Sequence, residues 1–583
     1  MTAPNGRAVP WSGVLVIWLV TSLAMLGILW GRLDVASFSD ADDALRLQQV
    51  RDWLAGQSWF DVTQYRVAPP AGVPMHWTRI VDLPIAALIV MLRPLLGTAQ
   101  AEVIASIAVP LLTLLATMML AANLAARRFG PQAGLVAALL VTFALPVSIR
   151  MMPLRIDHHA WQYFLALAAF GSITGGRPGR GGALAGLALA ASLAISLEAL
   201  PLAMVFAGVC TLRLWRGDGR WLGAFMAGLA LGAVALFLGT RGLNDLADHC
   251  DALSPVHLAV LLWAAAGCAL VLPRLRRHPP MLSLLVLGLF GAGAAAIMGL
   301  RAPQCLGADA FAALDPIVRS VWLDAITEGL PVWRQSAAVA FTALLPPLLG
   351  LIACWRLWRR APDAVARQEM IDMALLLAGA TLIGTLVLRV SGVACLFAAV
   401  PAAWQVQEQL ARWSAERLLL RRMLRVPLIV GLLMPWAYAI APYAVTRPSP
   451  PARDKAPMPC NFRALAPTMA AMPRTTVLAG LDLGPALLAT SPHNVVATGH
   501  HRGNAAMRDL IIAFLGPDHG ARRIMQKYGA TLVLTCPAGR ETQRYIKMAP
   551  DGFMAHLAQD KAPQWLVPVD VPPASGIRVW RLR

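Results

Sequence analysis

Long apolar runs separated by short polar segments are the main pattern along this chain. The runs are about 16 to 25 residues long, the length that crosses a bilayer as an α-helix. The first, VLVIWLVTSLAMLGILW, is followed by no small-residue cleavage site, so we interpret it as a retained helix. The pattern predicts a polytopic α-helical membrane protein with about thirteen spans, near 12–31, 103–126, 131–150, 160–174, 181–197, 199–214, 221–240, 257–273, 280–300, 336–355, 369–388, 390–405 and 425–442.

Basic residues mark one side of this predicted bundle. They concentrate in the short segments ARRFG, GGRPGRGG, RLWRGDGR, PRLRRH, RLWRRAPDAVARQ and RWSAERLLLRRMLR. Basic loops of membrane proteins stay in the cytoplasm. The segments 32–102, 151–160, 241–256 and 301–335 then lie outside, with everything after 442. The run DLPIAALIVMLRPLLG is predicted to be a surface or re-entrant helix, because counting it as a span would put ARRFG outside.

Composition agrees with a membrane protein and limits the functional classes. Of the 583 residues, 58% are hydrophobic and only 14% are charged, against roughly 25% charged in soluble proteins. The formal net charge of +19 does not indicate nucleic-acid binding, because the basic residues follow the loop pattern. The abundance of Ala, Arg and Gly is typical of a GC-rich bacterium. We therefore expect a bacterial inner (plasma) membrane protein with its active face in the periplasm.

The tail differs from the rest, so we divide the chain into a membrane domain, 1–442, and a small periplasmic α/β domain, 443–583. The stretch VTRPSPPARDKAPMP precedes β-like runs such as TTVLAGL and ATLVLTC, which alternate with helix-like runs. Four of the eight cysteines fall outside by this topology: Cys250, Cys305, Cys460 and Cys536. Disulfides 250–305 and 460–536 suit an oxidising compartment, and free thiols are the alternative.

Acids, histidines and arginines collect in the external segments. The first contains Asp40, Asp42, Asp43, His76 and Arg79, the second contains Asp157, His158 and His159, and the long segment contains Glu328. Carboxylates and imidazoles from separate loops on one face suit an octahedral divalent metal, Mn²⁺ or Mg²⁺. Such a metal can neutralise a phosphate leaving group. Each motif alone also has a structural interpretation, since Asp157 is a good N-cap for the helix after it.

The arrangement resembles the catalytic subunit of oligosaccharyltransferase, in the GT-C superfamily of membrane glycosyltransferases. The similarity lies in Asp42 followed nine residues later by Arg51, in the DHH motif, and in AITE, where Ala325 replaces a threonine. The resemblance implies metal ligands Asp42 (with Asp40 or Asp43 as the fallback), Asp157, His159 and Glu328. It implies catalytic Asp42, Asp43 and Glu328, one aspartate orienting or deprotonating the acceptor. It also implies substrate contacts from Arg389, His76, Arg79 and His158. Glu198, at a helix end, is interpreted as structural.

The tail departs from that family. Its W-W-D-Y-G signature corresponds here to AGLDLG, in which Asp482 and Gly484 remain while Gly480 and Leu481 replace both tryptophans. We therefore expect an acceptor other than a sequon asparagine. In the stretch TGHHRGN, the residues His500, His501 and Arg502 are candidates for binding that acceptor. A polar turn after a strand is the alternative.

The resemblance implies a metal-dependent, inverting transferase that moves a sugar or oligosaccharide from a polyprenyl-(pyro)phosphate donor to an extracytoplasmic acceptor. An alternative within the superfamily is a transferase that uses a polyprenyl-monophosphate sugar, like protein mannosyltransferase or lipid A aminoarabinose transferase. Other classes are a transporter or flippase of lipid-linked sugars and a non-catalytic assembly protein. Transporters place polar residues at mid-membrane, whereas here they lie at the outer surface, which favours chemistry. The predicted partners are the lipid-linked donor, the bilayer and an unidentified glycan, lipid or protein acceptor.

Overall fold

The computed structural model describes residues 9–275, 278–307, 311, 313–434, 436–437 and 460–583. Helices dominate the part before residue 438. They are α1 (Trp11–Ile28), α2 (Ala41–Leu54), α3 (Asp82–Leu96), α4 (Thr98–Phe129), α5 (Pro131–Phe143), α6 (Leu145–Ser148), α7 (His159–Gly175), α8 (Pro178–Ile195), α9 (Leu200–Trp215), α10 (Arg220–Thr240), α11 (Pro255–Arg274), α12 (Pro280–Arg301), α13 (Pro316–Val321), α14 (Ala337–Arg359), α15 (Ala364–Leu386), α16 (Ser391–Ala415) and α17 (Leu419–Leu433).

Every predicted span overlaps a helix, but fewer than thirteen of these helices have the length of a membrane span. Among the described residues, ten helices are long and apolar enough to cross a membrane, or eleven if the bent pair α5–α6 is one span. Helices α7 and α17 have only 17 and 15 described residues. The last residues of the final predicted span, 438–442, and the predicted domain boundary at 442/443 lie outside the described residues. The predicted class, a polytopic helical membrane protein, is confirmed.

One predicted span, 131–150, differs in shape from a straight helix. The chain bends by 68° between α5 and the segment that begins with α6. Pro146 stands in the first turn of α6. Proline has no N–H for the preceding turn, and its ring clashes with the carbonyl four residues earlier, so the helix restarts in a new direction. This bend carries the chain toward the polar segment 149–158.

Glycines bring α8 and α10 into close contact. A Cβ atom on Gly186 would overlap the carbonyl oxygen of Phe225, and one on Gly228 would overlap the carbonyl oxygen of Ala183. Helices inside a bilayer associate through such close backbone approach, because lipid provides little hydrophobic driving force between them. The two glycines therefore allow the close approach of α8 and α10, the helices that precede and follow α9 along the chain.

The first external segment folds around a buried ion pair. Helices α2 and α3 are linked by Arg46, whose Nη1 donates to Asp82 Oδ1 at 2.9 Å, and both side chains are almost completely buried. Gln49 Nε2 donates to the other oxygen of Asp82 at 2.8 Å, and Trp77 Nε1 donates to Gln49 Oε1. Strands β1 (Thr63–Gln64) and β2 (Val73–Pro74) form a short antiparallel hairpin between the two helices. Helix α3 matches the non-spanning helix that the sequence predicts.

The chain after residue 459 forms the predicted α/β region. Its helices are α18 (Phe462–Ala470), α19 (Leu483–Thr490), α20 (Asn504–Leu515), α21 (Asp518–Lys527), α22 (Arg540–Met548) and α23 (Phe553–Ala558). Its strands are β3 (Thr476–Ala479), β4 (Asn494–Val495), β5 (Ala530–Thr535), β6 (Leu566–Val569) and β7 (Arg578–Leu582). The sheet order is β4-β3-β5-β7-β6, parallel on the β3 side and antiparallel on the β7 side.

External segments pack into this α/β region. Val67 pairs with Val495 at the sheet edge, and Arg66 donates to the carbonyl oxygens of Leu488 and Ser491. Buried side chains of the first segment share one hydrophobic cluster with the strands, and Val318 and Val321 of α13 belong to the cluster on the other face. Two layers of apolar contacts therefore hold the α/β region against the loops above the bundle.

Both disulfides that suit the predicted topology are present. Cys250 bonds to Cys305, and Cys460 bonds to Cys536. The other four cysteines are buried and free: Cys210, Cys268, Cys354 and Cys395. The first disulfide ties the 241–256 segment to the long external segment, and the second ties the start of the α/β region to its central strand β5.

Removing the carboxylate of Asp82 tests the core of the first external segment. We expect Asp82→Ala to lower the free energy of unfolding by about 3–5 kcal/mol, because Arg46 would remain as a buried, unpaired charge. The thermal unfolding midpoint of the detergent-solubilised protein measures the change. Asp551→Ala, at an exposed position, is the matched control and should leave the midpoint unchanged. Equal midpoints for both variants would contradict a structural role for this ion pair.

Candidate active site

Asp43 joins the first external segment to the segment before α7. Its Oδ1 accepts hydrogen bonds from the backbone N–H groups of Ile156 and Asp157, at 2.8 and 3.0 Å. Its Oδ2 lies 3.0 Å from Arg155 Nη1, and the side chain is completely buried. The sequence predicts a catalytic role for Asp43. The structure instead places its carboxylate in contacts that hold Asp157 beside α2.

Acidic side chains outnumber the arginines between them. Arg155 lies 2.9 Å from Asp40 and 3.4 Å from Asp157, and Arg150 pairs with Glu328. The four acids Asp40, Asp43, Asp157 and Glu328 thus share the two cations Arg150 and Arg155, and Asp42 is a fifth acid beside them. The cluster draws on three external segments and is left with an excess of carboxylates.

Asp42 is the acid without a cation. Among the described residues, its carboxylate makes no hydrogen bond and no ion pair. Burial raises the pKa of Asp42 well above its ordinary value, and repulsion from Asp40, Asp157 and Glu328 raises it further. Asp40 is the N-cap residue of α2 and accepts from the backbone N–H of Asp42, which orients this first turn. Asp42 is therefore poised to receive a cation or a proton.

Asp157 and Glu328 are held in the ionised form by their neighbours. Burial alone would raise both pKa values, but His159 and Arg155 hold the pKa of Asp157 well below its ordinary value. Arg150 and His159 lower the pKa of Glu328 in the same way. His159 Nε2 lies 3.9 Å from Asp157 Oδ2 and 3.9 Å from Glu328 Oε1. The imidazole therefore stands between two carboxylates.

Arg389 and Glu198 border an apolar cleft next to this cluster. Arg389 Nη1 lies 2.9 Å from Glu198 Oε1 and 3.9 Å from Glu328 Oε1. The residues that line the cleft are Arg389, Glu198, His159, Gln162, Tyr163, Ser192, Ala199, Leu202, Val390 and Val393. Tyr163 donates its hydroxyl to the Arg389 carbonyl oxygen, which fixes the turn carrying the arginine. The cleft combines a charged end with walls that are largely hydrocarbon.

Glu198 was interpreted from the sequence as a structural residue at a helix end. In the structure, Glu198, His158 and His159 each offer a ligand atom within 4.8 Å of those of the other two. His158 is buried, and neither of its ring nitrogens has a hydrogen-bond partner within the described part of the chain. Glu198 therefore lies beside the two histidines of the candidate site. The sequence places it only at the outer end of a span.

The histidines predicted to bind the acceptor contact a residue from the first segment. His76 Nδ1 lies 3.0 Å from His500 Nε2, and the ring centroid of His501 lies 4.9 Å from that of His76. Burial lowers the pKa values of His76 and His500 well below the ordinary value, and the neighbouring His501 lowers them further. Arg502 donates two hydrogen bonds to Asp251, at 2.7 and 2.8 Å. His76 also lies near His158, with ring centroids 6.2 Å apart.

Two arginines that the sequence singled out, Arg79 and Arg51, make hydrogen bonds to other residues of the protein. Arg79 donates to the carbonyl oxygens of Trp59 and Gln49 and to the side chain of Gln57, and it is completely buried. Those bonds hold the first external segment together and direct Arg79 away from the carboxylate cluster. Arg51, which follows Asp42 in the family spacing, makes two hydrogen bonds to Glu102. Both arginines stabilise the fold around the site.

A further acid lies beneath the turn that carries Asp482. Glu541 accepts hydrogen bonds from the backbone N–H groups of Leu481 and Asp482 and from the hydroxyl of Tyr545. Burial raises the pKa of Glu541 to about 7, with a contribution from Asp482, whose own pKa is also raised, first by burial. Repulsion from Asp40 is among the causes for Asp482, so this turn faces the carboxylate cluster.

Sequence reasoning missed Arg150, Arg155, Asp251 and Glu541. Arg155 stands inside the RIDHHA stretch, and its position two residues before Asp157 was an available signal. Arg150 and Asp251 lie in segments already assigned to the outside, but without a motif. Glu541 has no such signal, because only tertiary packing brings α22 under residue 482.

The residues present suit a divalent cation. The acids exceed the arginines, Asp42 has no partner among the described residues, and His159 Nε2 stands 3.9 Å from oxygens of both Asp157 and Glu328. That spacing is below twice a metal–ligand bond of about 2.1 Å, so these atoms can approach one ion. Oxygen-rich ligand sets with one imidazole suit Mn²⁺ or Mg²⁺.

No protein-family model matches this sequence, and no curated protein matches it. Solved structures do match. Archaeal oligosaccharyltransferase AglB from Archaeoglobus fulgidus, in complex with an inhibitory peptide and a dolichol-phosphate, has a TM-score of 0.65 and 15% identity, over 95% of this chain and 72% of that one. The Archaeoglobus fulgidus oligosaccharyltransferase tethered to an acceptor peptide with an NVT sequon has a TM-score of 0.64 and 14% identity, over 96% and 73%. Its complex with zinc and sulfate has a TM-score of 0.59 and 14% identity, over 91% and 69%.

At such low identity the similarity shows the fold. The chain has the GT-C fold of these membrane glycosyltransferases, with a C-terminal α/β region that is part of the same superposition. This confirms the predicted fold class and the resemblance from which the site was predicted.

The raised pKa of Glu541 predicts how stability depends on pH. The folded protein keeps this proton up to a pH of about 7, whereas the unfolded chain releases it near the ordinary pKa of 4.5. The contribution of Glu541 to stability is therefore lost as the pH rises between these values, and it stays constant above them. We expect Glu541→Gln to flatten the fall of the unfolding midpoint across this window. The exposed Glu369→Gln should leave the profile unchanged. An unaltered slope in Glu541→Gln would contradict the assignment.

Proposed function

We propose that the protein is a metal-dependent glycosyltransferase of the bacterial inner membrane. In this proposal it transfers a sugar or oligosaccharide from a polyprenyl-(pyro)phosphate donor to an acceptor on the periplasmic side. The observation that carries the proposal is the cluster of acids and His159 from three external segments, placed beside the cleft that contains Arg389. The GT-C fold supports it, as does the dolichol-phosphate bound in the AglB structure.

The proposed donor matches the cleft, which has a charged end and apolar walls. A polyprenyl phosphate combines an anionic head with a long hydrocarbon chain. Arg389 offers a cation at the charged end, while Leu202, Val390 and Val393 line the apolar walls. We assign Arg389 and the buried His158 to the phosphate, because positioned donors stabilise the charge that develops on a leaving group. His76 lies near His158.

The proposed metal is Mn²⁺ or Mg²⁺, held by Asp42, Asp157, His159 and Glu328. When bound, such an ion neutralises the phosphate as the bond to the sugar breaks. The Archaeoglobus fulgidus oligosaccharyltransferase was solved as a complex with zinc and sulfate, which supports metal binding by a protein of this fold. Arg150 and Arg155 already neutralise part of the cluster, and a divalent ion would offset most of the remaining negative charge.

The transfer needs a base for the acceptor. The anomeric carbon–oxygen bond to the donor phosphate breaks, and the acceptor nucleophile forms the new bond to that carbon. The phosphate leaves with the bonding electron pair, and the acceptor proton passes to a carboxylate. We assign this role to Asp42, whose carboxylate lies among the other acids of the cluster and has no ion-pair partner among the described residues. Asp43 is fully used in holding Asp157, so we propose it as a positioning residue.

The acceptor is proposed to be different from a sequon asparagine. Gly480 and Leu481 provide no aromatic surface where the family has two tryptophans. His500, His501 and Arg502 are the other candidates for binding the acceptor, but Arg502 and His501 already bind Asp251. We therefore propose that the acceptor binds at the exposed surface around Asp482.

Metal and donor binding test the proposal before any acceptor is known. We expect Mn²⁺ to bind the purified protein in the presence of a short-chain polyprenyl phosphate, with a calorimetric isotherm that is lost in Asp157→Ala. Arg389→Ala should weaken polyprenyl phosphate binding and reduce donor turnover by about 100-fold or more. The controls are Asp551→Ala and Arg523→Ala, at exposed positions in the α/β region. A folded wild type that binds neither Mn²⁺ nor polyprenyl phosphate would contradict the proposal.

A further inference from the structure

Three imidazoles meet at the junction between the first external segment and the α/β region. His76 follows strand β2, while His500 and His501 precede α20. Their ring centroids are mutually 4.8 to 5.1 Å apart. Each of the three rings offers a nitrogen within 4.8 Å of those of the other two. His500 is 2% exposed, so this cluster is largely removed from water.

Packing and hydrogen bonding do not account for the cluster. One hydrogen bond joins His76 Nδ1 to His500 Nε2 at 3.0 Å. The other nitrogen of His500, Nδ1, is buried and has no hydrogen-bond partner among the described residues. Buried polar atoms in folded proteins are nearly always satisfied by a partner, a water molecule or an ion. The three rings therefore share a single hydrogen bond among themselves and leave a buried nitrogen without a partner in the described residues, so hydrogen bonding between them does not explain why they meet.

We propose that His76, His500 and His501 bind a Zn²⁺ ion, at a site separate from the carboxylate cluster. Nitrogen ligands with no carboxylate among them suit zinc better than Mn²⁺ or Mg²⁺, which prefer oxygen. Two ring nitrogens 3.0 Å apart can both reach an ion with bonds of about 2.0–2.1 Å. Three histidines leave a fourth position of the tetrahedron for water or another ligand.

Asp251 supports this assignment as an outer partner. Its Oδ2 lies 2.6 Å from His501 Nε2, and Arg502 holds both carboxylate oxygens. A carboxylate that accepts from one nitrogen of an imidazole fixes the tautomer and directs the other nitrogen to the metal. The alternative ligand is an anion such as phosphate. The arginine beside the rings, Arg502, is already paired with Asp251 through both carboxylate oxygens, so it is not free to hold an anion.

The proposed zinc would join separate parts of the protein. His76 belongs to the first external segment, His500 and His501 belong to the α/β region, and Asp251 belongs to the segment tied by the Cys250–Cys305 disulfide. A ligand that binds only the folded state stabilises it, by an amount that grows with the logarithm of the ligand concentration. The site therefore locks the α/β region onto the loops that carry the carboxylate cluster. This inference does not rest on the proposed transferase activity.

Zinc stoichiometry tests the proposal in the full-length protein in detergent. After removal of metals by a chelator and incubation with Zn²⁺, elemental analysis of the wild type should show zinc that is lost by one equivalent per chain in His500→Ala/His501→Ala. Asp157→Ala should keep this equivalent, which separates the site from the carboxylate cluster. The exposed His519→Ala, in the same region, should keep it too. Asp251→Asn should weaken zinc binding about 10- to 100-fold.

Thermal unfolding and cobalt absorption give independent readouts. Zinc should raise the unfolding midpoint of the wild type and of His519→Ala but not of the double variant. Co²⁺ in place of zinc should give the visible absorption of a tetrahedral nitrogen site in the wild type. If the double variant is not recovered folded, this cobalt titration of the wild type decides. Undiminished zinc content in the folded double variant, or no zinc and no cobalt bound by the wild type, would overturn the proposal.

Discussion

The candidate site depends on the carboxylate of Asp43. Its two hydrogen bonds to the N–H groups of Ile156 and Asp157, and its contact with Arg155, connect α2 to the segment before α7. These elements are more than a hundred residues apart in the sequence, and neither spans the membrane at this point. Without this connection, Asp42 and Asp157 would belong to separate loops. The site is therefore built on a buried polar contact rather than on a rigid secondary-structure element.

The bilayer explains why so much charge collects there. Ionisable side chains are costly within the hydrocarbon core, so the spans carry few of them and the segments between the spans carry the rest. The external segments of this chain then fold against one another and against the α/β region, which removes the charges from water as well. Burial raises the pKa values of Asp42 and Asp43, and repulsion from the neighbouring acids raises them further. In the proposed complex, a divalent cation would offset the excess of carboxylates and would give the anionic donor a positive charge to bind.

The sequence predicted the helices and the site residues to different degrees. Each predicted apolar run overlaps a helix, and ten helices of the described residues have the length and composition of a span, because a bilayer imposes both on each helix separately. The bend after Phe143 was missed, since its cause is a proline inside an otherwise continuous run. Among the predicted site residues, Asp42, Asp157, His159 and Glu328 lie together, whereas Arg79 is committed to the carbonyl oxygens of its own segment. A motif shows which residue types are present, but only tertiary contacts decide whether a polar group stays free for a ligand.

The same distinction applies to the missing tryptophans. A Cβ atom on Gly480 would lie 2.5 Å from Glu541 Oε2, so a larger side chain at this position would displace the carboxyl group that holds the turn. Glu541 in turn binds the N–H groups of Leu481 and Asp482 and is packed against Tyr545. The departure from the sequon-reading signature therefore involves α22 as well as the turn itself. Aromatic residues at 480 and 481 would therefore have to displace the Glu541 carboxyl group, so the departure from the signature lies in two packed elements and not in one substituted motif.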